Sequence, residues 1–257
     1  MTPKHAFDVT IVRARQLLAL HTGLVNRRKR RIRKDWKASF CSLMHWPKTA
    51  AIERVDSPDA VLVLRSGATL RPDNFATEEL AELLRAALVL GVSGLDRYIH
   101  ERTIKQIVTA LRSSELSRQQ EDLSIPATLA LRLGADLLKA HKAKKLRRPA
   151  NEVRKALQDT LCKRPFQSWH DLEFAFSLIG IRDMASQVQR KNKLSSVKPL
   201  KAELNQIVRR RNQIVHEGDL VRHQRGGKPR RHPIDAAYVR RSMDFIDNLV
   251  LKLENVS

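Results

Sequence analysis

The sequence predicts a mostly α-helical protein that carries one small β-hairpin. Glycine and proline number only nine and ten among 257 residues, so few positions interrupt long helices. Apolar residues recur at spacings of three and four along most of the chain, which is the period of a helix. Hydrophobic residues make up 42% and charged residues 30%, and this composition excludes wholesale disorder. The length fits two modest domains, which we place at residues 1–76 and 77–257.

The N-terminal segment is predicted to be helical and basic. A first helix is expected over residues 7–25, where apolar residues follow the helical period. A continuous basic block occupies residues 27–34 and leads into a second helix over residues 35–45. Pro47 ends this helix, because a proline disfavours the helical conformation of the residue before it.

The helical period is lost between residues 52 and 70. An apolar run at residues 60–64 is followed by Gly67 and then by a second short stretch at residues 68–70. Two short apolar stretches around a turn that contains glycine predict a β-hairpin.

From residue 77 onward every predicted element is a helix. The longest is expected over residues 77–111, because Thr77 can cap its start and Glu78 and Glu79 place negative charge at the positive end of the helix dipole. Gly91 and Gly94 within it predict a kink or a close approach of another helix. The remaining helices are expected over residues 127–142, 150–162, 169–179 and 200–215 and from Asp235 onward, with basic loops at 139–148 and 190–201.

The charge of the chain points to a polyanionic partner. Lysine and arginine number 49 and aspartate and glutamate 27, for a formal net charge of +22. Nucleic acid is the simplest partner for such a charge, ahead of an anionic membrane. Phosphate contacts give affinity without sequence information, so these cations would recruit RNA and leave specificity to another site. The expected nucleic-acid-binding residues are Arg27, Arg28, Lys29, Arg30, Arg31, Arg209, Arg210, Arg222 and Arg225.

Several classes of protein find no support in the sequence. No apolar run approaches the roughly 18–20 residues of a membrane-spanning helix, and charged residues interrupt any early signal sequence. Cys41 and Cys162 form neither a metal framework nor a disulfide scaffold, so we expect two thiols in a cytoplasmic protein. No phosphate-binding glycine-rich loop is present, and His170 lacks a second histidine at metal-ligand spacing, so we expect no metal, no cofactor and a structural His170.

One hexapeptide carries the residue types that phosphodiester cleavage needs. It is RNQIVH at residues 211–216, followed by Gly218, which is expected to end the helix. Asn212 and His216 are four positions apart and share a face, and Arg211 flanks them. The negative end of the helix favours a charged imidazole at His216, which suits it to proton transfer with a ribose hydroxyl or a leaving oxygen. An arginine beside it can stabilise the charge that develops on the phosphate.

As a string, residues 211–216 resemble the R-x4-6-H motif of HEPN domains. The surrounding segment, IVRRRNQIVHEG at residues 207–218, is most similar to the RiboL-PSP-HEPN branch of that family. Residues 86–102, AALVLGVSGLDRYIHER, also resemble the long helix of that branch. With the final helix, the likeness covers roughly residues 77–255. The hairpin region and the basic block at residues 27–34 fall outside it.

The resemblance implies a HEPN-type helical bundle that acts as a homodimer, with two R-x4-H motifs facing each other across a composite active site. Active members are metal-independent endoribonucleases, in which the ribose 2′-hydroxyl attacks the adjacent phosphate and leaves a 2′,3′-cyclic phosphate and a 5′-hydroxyl. By this likeness Arg211 and His216 would be catalytic and Asn212 would assist them. Many relatives act as toxins of toxin–antitoxin pairs or in antiviral defence, which implies a neutralising or activating protein partner.

Two other functions stay open at this stage. Some HEPN relatives are inactive, so the alternative is a catalytically silent module that binds nucleic acid or another protein. A basic helical DNA-binding regulator is a third hypothesis, which rests on charge alone. Within the nuclease hypothesis, Asp96 lies amid apolar spacing on the long helix, four residues before His100. It either supports catalysis by orienting Arg211 or forms a surface pair or an internal salt bridge.

Overall fold

The fold is mostly α-helical, as the sequence predicts. In the computed structural model, residues 2–25, 28–56, 61–65, 69–113, 149–221 and 229–256 are described. The helices are α1 (Pro3–Leu24), α2 (Lys34–Leu43), α3 (Thr77–Ser113), α4 (Pro149–Leu161), α5 (Trp169–Leu178), α6 (Met184–Lys191), α7 (Lys198–Glu217) and α8 (Ala236–Glu254), with a 3-10 turn at Pro72–Phe75. The strands are β1 (Arg28–Arg30), β2 (Ile52–Asp56) and β3 (Val61–Arg65). The helix predicted over residues 127–142 lies outside the described residues.

The long helix α3 is the centre of the bundle, and α1, α4, α5, α7 and α8 pack on it. Its two predicted glycines are points of close approach. A Cβ added to Gly94 would lie 3.4 Å from Thr10 of α1, and one added to Gly91 would lie 2.5 Å from the Met243 methyl group of α8. A side chain at Gly91 would therefore displace the end of the Met243 side chain, whereas one at Gly94 would only come into ordinary contact with Thr10.

The first helix belongs to this bundle. Phe7, Ile11 and Leu18 of α1 are buried in the same core as the residues of α3 and α8. Arg15 also donates to Asp244 at 2.9 Å and to Asp247 at 3.1 Å, both on α8. The predicted division at residue 76 therefore separates two segments that share one core.

The predicted hairpin exists, but its strands differ from those expected. Strand β2 pairs antiparallel with both neighbours in the order β1-β2-β3, and the hairpin joins residues 52–56 to residues 61–65. The stretch at 68–70, expected as the second arm, is not a strand at its described positions, Thr69 and Leu70. Strand β2 reads IERVD and only Val55 is buried, so it lacks the apolar run by which a strand is recognised. Residues 28–30 of the basic block form the edge strand β1, where Arg28 lies opposite Asp56.

A second correction concerns the predicted basic loop at residues 190–201. Residues 184–191 form helix α6, and α7 already begins at Lys198. Asp183 caps α6 by accepting from the backbone N–H of Ser186 at 3.2 Å. Only Met184 and Val188 of this short helix are buried, so its apolar period is too brief to identify from the sequence. None of the described helices has the length and apolar content needed to cross a membrane.

Candidate functional site

The exposed face of α7 forms one wall of a groove of about 840 Å³. The opposite wall comes from the start of α5 and from the chain segments before and after residues 222–228. The lining residues are Ser168 and His170 beside α5, Lys201, Asn205, Val208, Arg209, Asn212, Gln213 and Glu217 on α7, and Val221 and His232. Cationic, amide and imidazole groups thus converge on this groove, and such groups suit a ligand that is anionic and accepts hydrogen bonds.

The three motif residues take different positions on α7. Asn212 lines the groove, and its Oδ1 accepts a hydrogen bond from Nη1 of Arg211 at 3.1 Å. Arg211 is half-buried, and its Nε atom is enclosed without a hydrogen-bond partner in the described part of the chain. His216 is exposed and lies one turn beyond Asn212 on the same side of α7, but neither His216 nor Arg211 is among the residues that line the groove.

Helix geometry separates the two principal motif residues within one chain. Arg211 and His216 are five positions apart, which at 100° per residue corresponds to about 140° around the helix axis. The guanidinium and the imidazole therefore start from different sides of α7, and Asn212 between them is the residue that contacts Arg211.

Asp96 lies near Arg211 but makes its closest contact elsewhere. Its Oδ1 accepts from the backbone N–H of Phe166 at 2.5 Å and lies 3.7 Å from Nδ1 of His100. Burial raises the pKa of the Asp96 carboxyl, and the Phe166 N–H together with the charges of His100 and Arg211 partly offsets that rise. No ion pair joins Asp96 to Arg211 among the described residues, so the two interact through space while Asp96 fixes the turn before α5.

We expect Asp96→Asn to change stability in a pH-dependent way. A raised pKa means that the folded state favours the protonated carboxyl. The free energy of unfolding of the wild type therefore falls as the pH rises through the pKa of Asp96 in the folded state. Asparagine keeps an oxygen that accepts from the Phe166 N–H and removes the buried charge. Urea unfolding from pH 4 to pH 7 should show the variant gaining stability relative to the wild type as pH increases. A constant difference across this range would contradict the effect of burial.

A buried ion cluster holds the end of α7. The Asp219 carboxylate is fully buried and accepts from Nε of Arg85 at 2.6 Å. Arg210 binds the same carboxylate with both terminal nitrogens, one of them at 2.8 Å. Gly218 ends α7 at φ +60°, and Asp219 follows at φ +61°, so two consecutive left-handed residues turn this carboxylate inward. Arg210, one of the predicted nucleic-acid-binding residues, thus lies in this cluster.

The same cluster fixes the chain segment that carries His232. The backbone N–H of His232 donates to the Asp219 carbonyl at 2.8 Å, and its carbonyl accepts from Nη2 of Arg85 at 2.9 Å. Asp219 and Arg85 therefore set the distance between the end of α7 and the wall of the groove that His232 forms.

The other predicted nucleic-acid-binding residues are distributed over the molecule. Arg209 lies in the groove together with Lys201, and neither has an ion-pair partner within the described ranges. Arg31 is exposed beside strand β1, which contains Arg28, Lys29 and Arg30. Arg27, Arg222 and Arg225 lie outside the described residues.

Of the residues that line the groove, the sequence identified only Arg209 and Asn212 as site residues. Polar residues occur at every fourth position along α7, at Lys201, Asn205, Arg209 and Gln213. This spacing places them on one face of the helix, so the sequence could have indicated that face. His170 was interpreted as structural, and His232 was not considered. Their position in the groove depends on long-range packing of α5 and of the segment after residue 228, which carries no local sequence signal.

No three histidine, cysteine, aspartate or glutamate side chains in the described ranges group closely enough to hold a metal ion. Comparison of the chain with protein-family models, with curated proteins and with solved structures finds no match.

Proposed function

We propose that this protein is a metal-independent endoribonuclease of the HEPN type. The observation that carries the proposal is the RNQIVH motif beside the groove, in which Arg211 is hydrogen-bonded to Asn212. Lys201 and Arg209, which have no ion-pair partner among the described residues, supply affinity for the phosphates of the substrate.

In this proposal Arg211 and His216 act on one phosphodiester. The ribose 2′-oxygen forms a bond to phosphorus as the bond to the 5′-oxygen breaks, which yields a 2′,3′-cyclic phosphate and a 5′-hydroxyl. The 2′-hydroxyl loses a proton and the 5′-oxygen gains one, and His216 is the group suited to transfer a proton. Arg211 stabilises the negative charge on the phosphate oxygens, and Asn212 positions Arg211.

The angular separation of Arg211 and His216 supports a composite site. If two copies meet along α7, one copy can supply Arg211 and the other can supply His216 to the same site. This arrangement is expected for a homodimer with two-fold symmetry. Such a nuclease fits a cytoplasmic role as a toxin or in antiviral defence, under the control of a neutralising or activating protein partner.

The test is incubation of purified protein with total RNA in excess EDTA, followed by analysis of the product ends. The wild type is expected to give 2′,3′-cyclic phosphate ends, and Arg211→Ala and His216→Ala to lower the cleavage rate by about 10²–10⁴-fold. His5→Ala and Arg190→Ala remove the same groups from exposed positions and should cleave normally. Undiminished cleavage by both motif variants would refute the assignment.

A catalytically silent binding module is the second candidate. It is favoured by the lining of the groove, which includes Asn212 but neither Arg211 nor His216. Stable RNA binding without product on prolonged incubation, at concentrations where the protein is dimeric, would support this function over the nuclease.

A further inference from the structure

Asn205 occupies a position in the groove that suits recognition of the RNA strand. It lies two turns before Asn212 on the same face of α7, between Lys201 and Arg209. The exposed side chain of Asn205 also contacts the opposite wall, because its Oδ1 accepts from the backbone N–H of Trp169 at 3.1 Å.

This contact fixes the polarity of the Asn205 amide. A carboxamide has one oxygen that accepts and one nitrogen that donates. The oxygen is held by the first N–H of α5, so the nitrogen is the group that remains for a ligand. Nδ2 of Asn205 has no hydrogen-bond partner among the described residues, and it can only donate.

We propose that Asn205 is an RNA-binding residue of this groove, in which its Nδ2 donates to an oxygen of the bound strand. The proposal rests on the proposed function, since it assigns the groove to the RNA substrate. Lys201 and Arg209 flank Asn205 on α7 and attract the phosphates that bring such an oxygen within reach.

A second groove adjoins the first one on α7. It has a volume of about 370 Å³, and Asp235, Tyr238 and Arg241 line it. Arg209 and Gln213 line both grooves, so the two are adjacent. A strand bound at Asn205 could therefore extend past Arg209 toward Arg241.

The matched substitution is Asn205→Asp. One carboxylate oxygen can still accept from the Trp169 N–H, so the contact between α5 and α7 is retained. The other oxygen replaces the donor with a negatively charged acceptor, which repels the oxygen that Asn205 is proposed to bind. Asn248→Asp is the control, because Asn248 is exposed on α8 and the substitution changes the net charge equally.

Binding is measured by fluorescence anisotropy with fully 2′-O-methylated oligonucleotides of uridine, cytidine and adenosine. These lack the attacking hydroxyl, so the result is independent of cleavage, and failure of the nuclease assay would not affect it. Asn205→Asp should keep the melting temperature and weaken binding at least about tenfold, whereas Asn248→Asp should bind as the wild type does.

The three oligonucleotides distinguish the two sources of the oxygen. Equal weakening for all three identifies an oxygen of the sugar–phosphate backbone, whereas weakening for uridine and cytidine but not for adenosine identifies a base carbonyl, which adenine lacks. Lys201→Gln should also weaken binding of all three, and it serves as the second variant if Asn205→Asp loses stability. The proposal would be overturned if Asn205→Asp bound every oligonucleotide as tightly as the Asn248→Asp control does. If Lys201→Gln has to replace Asn205→Asp, unchanged binding by Lys201→Gln would overturn the proposal.

Discussion

Asp219→Asn is expected to lower the free energy of unfolding by about 3–5 kcal/mol, because it removes the buried anion that Arg85 and Arg210 share. Among the described residues, Arg85 then keeps as an anion only the half-exposed Glu82, which pairs with it at 3.1 Å. Asp219 is fully buried between Arg85 and Arg210, and only 8% and 14% of those side chains are exposed. Asparagine tolerates the left-handed backbone that Asp219 adopts at φ +61°. The substitution therefore removes the charge without straining the turn, and urea denaturation measures the loss.

The control for Asp219→Asn is Arg231→Ala. Arg231 pairs with Glu82 at the edge of the same cluster, but the two side chains are 51% and 45% exposed. An exposed pair of this kind contributes about 0–1 kcal/mol. Equal small losses for the two substitutions would mean that the buried carboxylate does not hold Arg85 and Arg210 as the geometry indicates.

Trp169→Ala should cost about 3–5 kcal/mol, the range for removing a large aromatic side chain from a core. Trp169 is the first residue of α5, its side chain is fully buried, and its Nε1 donates to Glu173 at 2.7 Å. The substitution removes the ring that packs α5 into the core, and α5 forms a wall of the groove beside α7. The loss is measured by chemical denaturation.

Trp169→Phe separates packing from hydrogen bonding at this position. Phenylalanine keeps an aromatic ring in the core, although it is smaller than the indole and lacks the Nε1–H that donates to Glu173. The loss of stability should therefore be clearly smaller than that of alanine. If phenylalanine and alanine destabilised the protein equally, the hydrogen bond to Glu173 and not the burial of the ring would dominate.

The helices with strong local signals were predictable from the sequence. The apolar period and Gly218 place the boundaries of α7 within two residues of those observed. The apolar period and Asp235 do the same for α8. The partner of the strand at 61–65 was not predictable, because β2 buries a single apolar residue, Val55, and its pairing depends on contacts distant in the sequence.

The candidate site was predictable only in the part that lies on one helix. The residues of the motif are consecutive on α7, so their order and spacing are readable directly from the sequence. Arg210 shows the limit of that approach, because a basic residue next to the motif suggests phosphate binding and only the tertiary structure reveals its partner, Asp219. The orientation of Asn205 likewise depends on α5, whose first residue precedes it by 36 positions.

The pairing of α1 with α8 has a consequence for the order of events during synthesis. Arg15 and its partner Asp244 are 229 positions apart, so α1 and α3 are made long before the helix that completes their core. At roughly 5–20 residues per second, that interval is on the order of ten to fifty seconds. During this time α8 is not available to cover the apolar residues of α1 and α3 that share its core. Transiently exposed apolar surface of this kind favours association between chains, so the nascent chain is most prone to aggregation before α8 has been made.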